Sequence, residues 1–166
     1  MKDLKYLFAY TVPLSVYISF MSTGLWTFFS VFYVFIIIPL LDLIFGETKE
    51  NLSDEDISYI KNKWIFDLML YLNLPIVFGL LYLILFNINS NVYEVYELVG
   101  LAISSGILLA TNGINVAHEL GHRKSFFDRF LSQTFYIPCL YMHFFIEHNY
   151  GHHLKVATPE DGATAK

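Results

Sequence analysis

Apolar residues gather in four runs separated by short polar breaks: roughly 6–23, 25–45, 64–86 and 95–117. Each is close to the ~20 residues that carry a helix across a bilayer. The pattern predicts four membrane-spanning helices. Pro13, Pro39 and Pro75 lie inside the runs, where neighbouring helices re-satisfy the freed carbonyl and a kink is expected. The stretch 46–63 is polar, and Ser53 followed by Asp54, Glu55 and Asp56 reads as a capped helix start in a soluble link. A fifth apolar run, 126–146, is broken by Asp128, Arg129, Gln133, Pro138 and His143. A full crossing there would split the histidines across the membrane, so this run is expected to lie in the interface or to re-enter. The fold class expected is all-α and integral to a membrane, a single helical domain over 1–166 whose metal-site region is 118–166.

Composition agrees. Apolar residues make up 55% and charged residues 15%, and mean hydropathy is +0.50; a soluble domain usually carries about 25% charge. The net charge of -5 argues against a nucleic-acid partner, which selects a basic surface. One cysteine, Cys139, forms no disulfide within the chain and reads as a small buried hydrophobe. The start, Met1-Lys2-Asp3-Leu4-Lys5, lacks the cleavage site of a signal peptide. Lys49, Lys61 and Lys63 lie in the second link, and Arg123, Lys124 and Arg129 follow the fourth run. The first and third links carry no charge. Since Lys and Arg mark the cytoplasmic side, the N-terminus, the second link and the region after the fourth run are expected there.

All six histidines fall between 118 and 153. His118-Glu119-Leu120-Gly121-His122 and His148-Asn149-Tyr150-Gly151-His152-His153 each hold two histidines four apart, with His143 upstream of the second group. On a helix that spacing sets two rings on one face, and imidazole is a general ligand for zinc, copper, iron and nickel. A lone histidine is more often a cap; polar rings gathered in this way beside hydrocarbon imply a site. His118 to His122 also fits the HExxH spacing of zinc proteases, with Glu119 as general base. Catalytic zinc takes about three protein ligands, whereas five or more are present. The surplus favours two metals, held mainly by imidazole, with Glu119 and Glu147 orienting rings from behind. A metal transporter would spread ionisable groups along its helices, which this chain does not do.

The segments from His118 to Lys124, from His143 to His153 and from Val156 to Asp161, with Pro39-Leu40-Leu41-Asp42 and Gly46, resemble the membrane-bound alkane 1-monooxygenases. These are part of a wider set of histidine-rich membrane di-iron hydroxylases and desaturases. The resemblance implies an oxidoreductase of the bacterial inner membrane, with six membrane helices, an apolar channel and a cytoplasm-facing non-haem di-iron centre. It implies hydroxylation of the terminal methyl of medium- or long-chain alkanes by dioxygen, with electrons from rubredoxin. Carried over, His118, His122, His148, His152 and His153 are the iron ligands, while His143, Asp42, Asn115 and Asp161 support them. Tyr150 and Gly162 depart from the common pattern and leave alkyl-aromatic hydroxylation or lipid desaturation as alternatives. The family has a further histidine box downstream, so the chain is expected to be an N-terminal fragment, inactive alone.

Overall fold

The computed structural model describes residues 2–46, 64–156, 158, 160 and 161, with the side chains of 2–5 left aside. The expected helix start at Ser53 and the residue Gly162 lie outside them. Every regular element among the described residues is helical. The chain divides into two compact units, Met1–Leu108 and Leu109–Lys166.

The first unit holds α1 (Tyr6–Phe20), α2 (Gly24–Phe45), α3 (Trp64–Ser90) and α4 (Val95–Leu108). Three helical stretches are long and apolar enough to cross a membrane: Gly24–Phe45, Trp64–Ser90 and Val95–Gly121; Tyr6–Phe20 is apolar but shorter. The burial pattern is that of a protein surrounded by hydrocarbon. Ser15, Ser19, Thr27, Ser30 and Ser104 are buried, whereas Phe35, Leu43, Tyr82 and Leu85 are exposed. Small residues let membrane helices approach and hydrogen-bond across the seam. The Ser30 hydroxyl donates to Ser104 Oγ at 2.8 Å, and Ser104 Oγ donates to the Thr27 carbonyl at 2.9 Å. Gly100 is required at the same seam. A Cβ there would stand 2.8 Å from Phe28 Cε2 and closer still to Thr27 Oγ1. Glu97 is buried and accepts from the backbone N–H groups of Gly24 and Glu94. One carboxylate thus caps the starts of α2 and α4, whose first N–H groups have no helical partner.

The prolines act differently. Pro13 sits where α1 changes from the 3-10 winding of Lys2–Tyr10 to the α winding of Thr11–Phe20. Pro39 follows a π turn, Tyr33–Ile37, which absorbs the lost hydrogen bond. Pro75 lies inside the continuous helix α3.

The second unit opens with a π turn, Leu109–Ile114, then α5 (Asn115–Gly121) and α6 (Phe126–Tyr136). Ser125 caps α6, its hydroxyl accepting from Asp128 N at 3.4 Å. Leu120, Leu131, Phe135 and Tyr136 are buried, and the Ser132 hydroxyl donates to the Ala117 carbonyl at 2.6 Å. A tight turn ends α6. Leu140 takes φ 52°, a left-handed conformation rare outside glycine, and Tyr141 N donates to the Tyr136 carbonyl at 3.1 Å. The chain then forms α7 (His143–Ile146), a second π turn, Glu147–His152, and α8 (His153–Lys155). The run 126–146 is therefore two helices and a turn rather than one uninterrupted span.

Candidate metal centre

Helix α5 supplies His118, and His122 is its C-cap residue, still in helical backbone; their ring centroids lie 4.5 Å apart, as expected of an i, i+4 pair. The turn at Leu140 brings the later segment back to them. One ring nitrogen from each of His118, His122, His148 and His153 lies within 4.8 Å of the others; His118 and His148 are half-buried, the other two exposed. His122 and His118 meet Nε2 to Nε2 at 2.8 Å, His118 and His148 at 2.6 Å, His153 and His148 at 3.0 Å.

The donor set fits a cation better than it fits itself. A neutral imidazole Nε2 offers one in-plane site, a proton or a lone pair. Four such sites make at most two conventional hydrogen bonds, yet three contacts link them in a row. Four lone pairs converging on one ion remove the conflict. Ligand nitrogens about 2.1 Å from an ion stand about 3.0 Å apart at right angles. The His148–His153 separation matches, and the other two contacts need to open by a few tenths of an ångström. The set as a whole, which spreads to within 4.8 Å, needs to draw in to the roughly 4.2 Å that two opposed ligands of one ion span. Burial and the neighbouring imidazoles push His148 down to about 4, so it is neutral at pH 7, the form a metal binds.

His152 sits apart from this quartet. Asp161, 4% exposed, accepts from its Nδ1 at 2.8 Å, leaving Nε2 as its ligating atom. That is the carboxylate–histidine pairing that fixes ring orientation behind metal sites. The remaining expected residues are scattered. His143 is exposed and meets Tyr141 edge-on at 4.8 Å. Glu147 is exposed on the wall of a cleft of about 490 Å³ that also includes Tyr141, Phe144, His148, His152 and Asp161. Asn115 and Glu119 are exposed on α5, and Asp42 is exposed on α2 of the first unit. Glu119 and His122 have the Glu-x-x-His spacing of carboxylate-rich di-iron sites, yet the carboxylate is no part of the convergent group.

Sequence reasoning passed over Phe144. Its ring stacks on His148 at 4.9 Å and 15°. The signal was the spacing of 144, 148 and 152, four residues each, in a segment read only for its histidines.

No protein-family model matches the chain. Curated relatives do. The chain is 38% identical over 132 residues to an alkane 1-monooxygenase of Pseudomonas putida, covering 78% of this chain and 32% of that protein. It is 36% identical over 132 residues to alkane 1-monooxygenase 1 of Alcanivorax borkumensis, with the same coverage. It is 35% identical over 143 residues to an alkane 1-monooxygenase of Acinetobacter baylyi, covering 79% of this chain and 32% of that protein. The chain spans about a third of the length of these relatives.

Proposed function

The chain belongs, over the residues it shares with these relatives, to the alkane 1-monooxygenase family, and on that premise we propose that it forms part of an alkane-hydroxylating site in a bacterial inner membrane. The observation that carries the reading is the convergence of four imidazole nitrogens from two segments thirty residues apart. His118, His122, His148 and His153 would hold one iron, and His152, oriented by Asp161, would be free to offer its Nε2 to a second. Iron bound there supplies the dioxygen chemistry that an unactivated methyl group demands and side chains alone cannot provide. The chain's own task is to fix the imidazoles, keep them neutral and bound the site with apolar rings. Overall, one oxygen atom would enter a terminal C–H bond and the other would leave as water, with two electrons from a rubredoxin-type donor and two protons from the aqueous phase. The basic residues Arg123, Lys124 and Arg129 beside the site favour a cytoplasmic face for it.

A peptidase reading draws on the HExxH spacing and on the compactness of the quartet, which is one ion's shell. Against it, Glu119 is exposed and outside the cluster, where a general base would have to reach metal-bound water. Metal analysis of the full-length protein, with a substrate panel, decides between them. Iron with conversion of octane to 1-octanol is expected. One zinc per chain with peptide cleavage would replace this reading. Activity confined to alkyl-aromatics or fatty acyl chains would move it to the wider membrane di-iron set.

A further inference from the structure

Metal-bound histidines are ordinarily oriented by a hydrogen bond from the other ring nitrogen. His152 has one, to Asp161. His148 is held differently. Phe144 lies on one side of it at 4.9 Å and 15°, and His152 stacks on it at 5.6 Å and 22°. Tyr141 extends the column, stacking on Phe144 at 5.0 Å and 19°. Residues four apart drift around an α-helix because a turn takes only 3.6. A π turn is wider and reverses that drift. The change from α to π at Glu147 therefore brings 144, 148 and 152 into one column.

We infer that Phe144 is a positioning residue: its ring sets the plane of His148 and so the direction of the Nε2 lone pair. His148 is one of the two inner members of the quartet, its Nε2 meeting those of both His118 and His153. A rotation of this one ring opens the site on two sides at once. Phe144 also touches His118, at 6.3 Å and 62° between rings, which ties the two ligand segments together. Burying hydrophobic area is a role any apolar side chain fills; keeping a ring parallel to imidazole requires another flat ring.

The inference rests on His148 being a ligand, and the experiment separates the two. Cobalt(II) is titrated into the metal-stripped full-length protein, reading affinity and the visible ligand-field spectrum, for wild type, Phe144→Leu, Phe144→Tyr and His148→Ala. Phe144→Leu keeps the bulk but not the ring. It is expected to weaken cobalt binding about three- to tenfold, the contribution of such a ring pair beyond buried area, and to shift the spectrum. Phe144→Tyr is expected to restore both. Wild-type affinity and spectrum in Phe144→Leu would overturn the inference, as would a Tyr variant no better than Leu. Phe144→Met gives the same comparison if Leu lowers the yield of folded protein. Unchanged cobalt binding in His148→Ala would instead remove the site reading beneath it.

Discussion

Asp161 acts on the metal centre at one remove. It is buried, and its carboxylate holds His152 Nδ1. Replacing such a partner behind a ligand typically lowers metal affinity about 10- to 100-fold. Asp161→Ala is expected to do so, and Asp161→Asn, which retains an acceptor oxygen, to lose less; competitive chelator titration measures both. His148 makes a different prediction. Its folded pKa of about 4 lies below the ~6.5 of an unfolded histidine. Between these values the unfolded chain binds the extra proton. Stability without metal therefore rises with pH from about 4 to about 6.5 and levels off above. Denaturation midpoints across that window check the slope, and His148→Asn should flatten it.

Two elements are built around backbone positions that tolerate little change. Gly100 lets α4 lie directly against the start of α2. A methyl group there meets Thr27 and Phe28, and overpacking of this kind usually costs about 1–3 kcal/mol. Gly100→Ala should lower the unfolding midpoint of the membrane-extracted protein accordingly. The turn at Leu140 is the second case. Its positive φ is worse for a β-branched side chain, which crowds the backbone further. Leu140→Ile is expected to destabilise by about 1 kcal/mol, while Leu140→Gly, at an exposed position, is expected to be neutral or stabilising. Denaturant titration of the pair separates conformational strain from lost packing, because glycine loses more packing than isoleucine.

Across the whole molecule the sequence revealed composition-driven features and hid those that depend on a turn. Membrane-length runs and paired histidines are local patterns with a fixed period, so Gly24–Phe45, Trp64–Ser90 and the His118–His122 pair were legible. The joining of His118 to His148 was expected through the resemblance and through the need to keep the histidines on one side. The turn that achieves it was not legible, because the chain reverses near Leu140, a residue whose identity gives no turn signal. The π turns were equally silent; nothing in Leu109–Ile114 or Glu147–His152 marks a change of helical winding. Asp161 was noted only through resemblance, and its histidine partner came from the structure. Orientation remains a whole-chain prediction from the basic links. A reporter enzyme fused after Lys166 should sit in the cytoplasm, and a periplasmic signal would reverse the proposed face.

The thirty-residue separation of His118 and His148 has one more consequence. An ion held by both ends turns that stretch into a closed ring, and a closed ring has fewer ways to be unfolded. A covalent link across a loop of this size removes roughly 3–4 kcal/mol of denatured-chain entropy. The metal should then serve as a reversible staple as well as a reagent: chelation should lower the melting temperature of Leu109–Lys166, and the loss should vanish when His118 and His122 are both replaced by alanine, which removes every quartet ligand on one side of the ring.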